Sequence, residues 1–149
     1  MINKFKYGNL DKPGIYIDEN TMRMCRTHRM MFADLAEALA AQGEREKAIE
    51  VLDFAEKVLP PYNVSYDYTS ATMAGIYCAL GEMEKGVSIL TQVADNAVEY
   101  MVWGASLDLT HRKASQSTIG HHTAVLGYVM QQFERYEQKE LFNKYYDLY

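Results

Sequence analysis

The sequence predicts an all-α fold: about six helices in three antiparallel hairpins, preceded by an extended N-terminal arm. Three observations carry that expectation. Apolar residues recur at three- and four-residue steps, and turn formers (Gly43, Pro60-Pro61, Gly81) punctuate the windows between. One ten-residue segment also returns downstream: Gly43-Glu44-Arg45-Glu46-Lys47-Ala48-Ile49-Glu50-Val51-Leu52 matches Gly81-Glu82-Met83-Glu84-Lys85-Gly86-Val87-Ser88-Ile89-Leu90, at a constant offset of 38. A fixed period in the range of roughly 20–50 residues marks repeated helix–turn–helix units.

The elements are taken in chain order. Residues 1–19 form the arm, rich in charge and turn formers from Lys4 to Gly14, with Ile15-Tyr16-Ile17 as an extended patch laid on the surface of the helices after it. The repeat domain then spans residues 20–149. Asp18, Glu19, Asn20 and Thr21 supply cap candidates for a first helix that runs to Gln42, with Phe32, Leu35 and Leu39 on its apolar side and Gly43 as its stop. Ala48, Leu52, Ala55 and Leu59 mark a second helix, ended by Pro60-Pro61. A third starts near Ser65 or Asp67 and stops at Gly81, and a fourth runs from Glu82 to about Leu107. His111 to Ser117 reads as a loop. A fifth helix over about 118–133 and a sixth over about 137–148 complete the chain.

Within the first repeat the residues resemble the tetratricopeptide family. Phe32 stands in the leading aromatic position, Leu35-Ala36 in the Leu-Gly pair, Leu39 in the Tyr position, Ala48 at the helix crossing, Leu52, Ala55 and then the closing Pro60. In the second unit Met73-Ala74, Tyr77, Gly86 and Leu90 fit, whereas Ser70 and Val98 depart from the pattern. In a third, Leu126-Gly127 and Met130 fit and the second helix finds no register. The resemblance implies a short right-handed superhelix. A second resemblance rests on the arm. Asn3-Lys4-Phe5-Lys6-Tyr7-Gly8-Asn9, Ile15-Tyr16-Ile17-Asp18-Glu19-Asn20 and Met22-Arg23-Met24 are similar to the opening of the soluble C-terminal region of bacterial multi-spanning membrane proteins related to protein O-mannosyltransferases, the type-C glycosyltransferases. It implies a non-catalytic appendage, tethered to a bacterial membrane and facing the periplasm, whose parent protein holds the catalytic residues elsewhere.

Composition limits the chemistry. The 149 residues are 48% apolar and 23% charged with a formal net charge of -5, values of a globular chain whose acidity disfavours nucleic acid as partner. No run is long enough to span a membrane, and no apolar run comes after Lys4 and Lys6 as a signal peptide requires. Cys25 and Cys78 have neither metal-site spacing nor a Cys-x-x-Cys pattern, so each reads as a buried thiol, with a single bridge open. Gly8 to Gly14 lacks the Gly-Lys-Ser/Thr of a phosphate loop, and Gly104-Ala105-Ser106 lacks the second glycine of a nucleophile elbow. His111, His121 and His122 are the residues an alternative, a small metal-dependent hydrolase or transferase, would use. Adjacent helical residues point about 100° apart, which keeps His121 and His122 from sharing one ion easily. No cofactor is implied.

Two surfaces remain as candidates. Arg23, Arg26 and Arg29 recur every third residue, and with Lys4, Lys6 and Lys12 they give the first 32 residues a balance of +3 against -8 in the remainder. That end is expected to meet an anionic surface, of lipid or of a membrane domain. The repeat register places Met30, Ala33, Glu37 and Ala40, then Tyr68, Ala71, Gly75 and Cys78, along a groove. A protein or peptide could occupy it, or the chain's own last helix, with Leu141, Phe142, Tyr145 and Tyr146, could close it.

Overall fold

The computed structural model describes residues 6–149; Met1 to Phe5, and with them Lys4 of the expected basic end, lie outside the described residues. Seven α-helices and no strands are found among the described residues: α1 (Glu19–Ala41), α2 (Arg45–Val58), α3 (Tyr68–Ala79), α4 (Met83–Ser106), α5 (Leu109–Ala114), α6 (Gln116–Arg135) and α7 (Lys139–Tyr146). The all-α expectation therefore holds. The seventh helix is α5, which occupies the polar stretch expected as a loop. Its residues are exposed on all sides, so it carries no apolar stripe to read. It starts because the Asp108 carboxylate accepts from the backbone N–H groups of Thr110 and His111.

Other starts are encoded by the same device. Asp18 caps α1 by accepting from Asn20 and Thr21. Asp67, rather than Ser65, caps α3 in a closed box: its carboxylate accepts from Thr69 and Ser70 while the Asp67 N–H donates to Ser70 Oγ. This explains the serine in a position where the repeat pattern has an aromatic residue. The position falls in the first turn of α3, where Ser70 closes the box and is fully buried.

The repeat appears in the backbone as well as in the residues. At Gly43 (φ 79°) the N–H of Glu44 donates to Leu39 O, and at Gly81 (φ 86°) the N–H of Glu82 donates to Tyr77 O, again 38 positions apart. The same turn occurs a third time. Glu137 adopts φ 58° and the N–H of Gln138 donates to Phe133 O. Glutamate replaces the expected glycine, so no residue type marks this turn. It corrects the third register: Leu126, Val129-Met130 and Phe133 stand where Phe32, Leu35-Ala36 and Leu39 stand in the first unit. All four are buried.

Contacts divide the chain into two compact units, the first closing at Gly86 and the second running from Val87 to Tyr149, so the boundary falls inside α4. In the first unit α1 packs on α2 and on α3. Phe32, Ala33, Ala36, Ala48, Leu52, Ala71, Ala74 and Tyr77 form its core, and small side chains let the helices close up. Closest of all is Gly86, where an added Cβ would overlap Cys78 Sγ and lie 2.7 Å from Ala74 O. Tyr7 and residues 10–12 contact this unit, whereas Tyr16 of the Ile15-Tyr16-Ile17 patch is 91% exposed. Asn63 Nδ2 donates to Leu10 O and Lys12 O at 2.7 and 2.6 Å, Tyr62 OH donates to Asp11 O, and the Tyr7 ring packs among His28, Phe32 and Phe54.

In the second unit α6 packs on α7 and on the short α5. Leu126, Val129, Phe133 and Tyr145 are buried, with the Phe133 and Tyr145 rings stacked at 5.8 Å. The Tyr145 hydroxyl donates to Asp95 of α4 at 2.6 Å. Gly104 of α4 faces Ile119 of α6 so closely that a Cβ would meet the Ile119 side chain at 2.5 Å. No helix among the described residues is long and apolar enough to cross a membrane.

Candidate functional site

The predicted arginine band separates into three different environments. Arg29 is fully buried and cannot touch an anionic surface. Its guanidinium donates to three carbonyls of the α2–α3 connection, Leu59 O at 2.9 Å, Val64 O at 2.7 Å and Ser65 O at 3.1 Å, and lies 5.6 Å from the centre of the Tyr66 ring. A connection of this length leaves carbonyls that no helix satisfies, and one buried guanidinium supplies several of the missing donors. Arg26 is half-exposed and paired with Asp67 at 3.0 Å. Arg23 alone projects without an ion pair among the described residues, bonded only to Asn20 Oδ1 at 3.3 Å.

Behind Arg29 lies a buried carboxyl. Tyr66 OH donates to Glu56 Oε2, while Glu56 Oε1 and Arg29 Nε are buried without a hydrogen-bond partner. Burial raises the Glu56 carboxyl above its ordinary range, against the lowering effect of the Tyr66 hydroxyl and the Arg29 charge. A second polar link joins α2 to its neighbours: Asp53 accepts from Tyr77 OH at 2.7 Å and from Lys85 Nζ at 2.7 Å. Arg45 Nε caps the end of α3 at Leu80 O, 2.7 Å away.

The predicted groove is largely filled. Ala33, Ala71 and Cys78 are buried: α1 and α3 pack directly on one another, and Cys78 lies against Gly86 at the start of α4. Met30, Ala40 and Gly75 are half-buried, and only Glu37 and Tyr68 are exposed. Both thiols are buried and free, and burial pushes Cys25 up and Cys78 up to about 11, which leaves them inert.

The predicted histidines occupy separate settings. His111 sits on α5 and bonds the Asp108 carboxylate. His122 stacks flat on Tyr100, with centroids 3.9 Å apart and planes at 4°, and the His121 ring stands nearly perpendicular to it at 5.3 Å. Among the described residues no three His, Cys, Asp or Glu side chains converge on a point where a metal ion would sit.

Sequence reasoning missed one feature of the second unit. A cleft of about 540 Å³ opens where the end of α4 meets α5 and α6, with Met101, Gly104, Ala105, Leu109 and Ile119 as its apolar lining. Arg112 and Lys113 stand at the same cleft. Arg112 donates to Ala105 O at 2.6 Å and Leu107 O at 3.2 Å, closing the end of α4, and Lys113 has no carboxylate partner among the described residues. Leu109 of the lining is exposed to 70%, and elsewhere at the end of α4 Tyr100, Val102 and Trp103 are exposed as well. These residues are plain in the sequence, but reading 111–117 as a loop separates Arg112 and Lys113 from the helix they flank. No family model matches the chain, and no curated protein and no solved structure matches it either.

Proposed function

We propose that the chain is a non-catalytic interaction module built of tetratricopeptide-like helix pairs, the soluble appendage of a membrane-bound glycosyltransferase-like protein at the periplasmic side of a bacterial membrane. The observation that carries this reading is the turn repeated at Gly43, Gly81 and Glu137 with the same backbone hydrogen bond each time. Repeated helix pairs present extended surfaces and are used to hold partners rather than to transform them. The arm supports the second half of the reading. Tyr7, one of the residues that resemble the opening of the membrane-protein appendage, packs among His28, Phe32 and Phe54, and the Leu10, Asp11 and Lys12 that follow it are bonded by Asn63 and Tyr62 of the first unit.

The partner is a protein or peptide, with the membrane region of the same parent as the first candidate. Glu37 and Tyr68, with half-exposed Met30 and Gly75, are the part of the predicted groove line left open to it. Two measurements test the proposal. The coding sequence upstream of Met1 should encode a multi-spanning segment. A photoreactive residue at Tyr68 should then cross-link to that segment in the intact protein. A stop codon directly upstream removes the tether, and absence of any adduct removes the partner surface.

A further inference from the structure

We infer that the cleft of the second unit is a binding site for anionic phospholipid at a bilayer surface. The site goes beyond the tethered reading and does not depend on it, since a chain with no membrane neighbour would bind vesicles equally.

Val102, Trp103 and Tyr100 at the end of α4 and Leu109 at the start of α5 present apolar and amphipathic side chains to solvent. Trp and Tyr prefer the boundary between acyl chains and headgroups, because one edge of each ring is apolar and the other is polar. The cleft is lined by Met101, Gly104, Ala105, Leu109 and Ile119, which suit an acyl chain, with Gln116 as its uncharged polar side chain. Gly104 keeps α4 close to Ile119, so the apolar lining is continuous between the two helices.

Charge then selects the occupant. The protein is acidic overall, at -5, yet between Glu99 and Glu134 it carries a single carboxylate, Asp108. That carboxylate is engaged by the N–H groups of Thr110 and His111 and by the His111 ring. Arg112 commits one nitrogen to Ala105 and Leu107, which fixes the guanidinium at the cleft with further donors free to act, and Lys113 is unpaired among the described residues. Two cations beside an apolar cleft fit a ligand with a phosphate at one end and hydrocarbon at the other. An acidic peptide would satisfy the cations but has less use for an apolar lining that ends in the exposed Leu109.

Trp103 is the chain's single tryptophan and stands in the last turn of α4, so its emission reports on that end of the helix, where Met101, Gly104 and Ala105 enter the cleft. Vesicles of phosphatidylglycerol mixed with phosphatidylcholine should shift Trp103 emission to the blue at low salt, and pure phosphatidylcholine vesicles should not. Lys113→Gln should weaken binding about fivefold, the factor equivalent to roughly 1 kcal/mol per cation near an anionic surface. Leu109→Ser, an exposed change that leaves the fold intact, should weaken it as well. Arg23→Gln on α1 should leave binding unchanged. No shift with phosphatidylglycerol overturns the proposal, as does an equal shift with neutral vesicles. Loss of binding in Arg23→Gln but not in Lys113→Gln overturns it too and assigns the lipid contact to the first helix. A shift produced by a Leu- and Glu-containing helical peptide and absent with all vesicles overturns it in favour of a protein partner.

Discussion

The two units solve the same turn with different residues. In the first unit the left-handed position is glycine at Gly43 and Gly81, and the position five residues later is small, Ala48 and Gly86. In the second unit Glu137 holds the left-handed position and Phe142 occupies the one five residues later. The hydrogen bond that closes the turn is nonetheless the same in all three. Backbone geometry thus persists where side-chain identity has drifted, and a residue pattern tracks the close helix crossings rather than the turns. The units also differ in how they treat polarity. The first buries a guanidinium and a carboxyl beneath its inter-helix connection, whereas the second opens an apolar cleft with the cations Arg112 and Lys113 beside it.

The contrast can be broken most severely at Arg29. Arg29→Met removes the donor from three carbonyls and should lower stability by about 3–5 kcal/mol, read as a fall in Tm of roughly 10 °C. Arg23→Gln, on the exposed side of the same helix, should stay within about 0.5 kcal/mol. Equal effects at the two positions would mean that the buried bonds to Leu59, Val64 and Ser65 carry no weight.

Gly86→Ala comes next. Its Cβ would press on Cys78 Sγ and on the backbone oxygen of Ala74, which cannot move without displacing α3, so a loss of about 2 kcal/mol is expected. Chemical denaturation measures it, and an unchanged midpoint would show that α3 and α4 are not held at this crossing. Glu137→Gly goes the other way. Relieving a positive φ at a non-glycine residue should stabilise the second unit by about 1 kcal/mol, and a loss of stability would remove the third turn from the series.

The smallest effect is a pH dependence from Glu56. Its folded-state carboxyl titrates above the unfolded one, so the folded state holds a proton over the interval between them. The contribution is present below the ordinary glutamate range and is lost as pH rises through the raised value. Glu56→Gln cannot ionise, so the Tm difference, variant minus wild type, should grow from pH 4 to pH 7. A flat difference would show that Arg29 and Tyr66 compensate the ionised carboxylate fully.

Much of the fold is legible in residues that can adopt few roles. Gly43, Gly81 and Pro60-Pro61 mark ends, Asp18 and Asp67 mark starts, and Ala36 and Ala48 mark close contacts. What escapes a sequence reading lies in residues with many roles. Glu137 in a left-handed conformation resembles any surface glutamate, and α5 has no buried face to give it a period. The site is legible only in part for a related reason. A spacing of three places Arg23, Arg26 and Arg29 on one side of a helix, but it does not say that the connection from Leu59 to Ser65 folds over the last of them. The small residues expected to line an open groove are small because another helix lies against them.

The strap between the arm and the first unit has a mechanical consequence. Asn63 and Tyr62 hold the carbonyls of three successive residues, Leu10, Asp11 and Lys12, and these precede α1 in the chain. A pull on the leading end of the arm therefore loads these bonds together before any force reaches Asp18 and the first turn of α1. The load passes into the connection that Arg29 anchors from beneath. Tension entering through the arm is delivered to a connection held by three bonds from one buried guanidinium, and the helix cap at Asp18 is spared it.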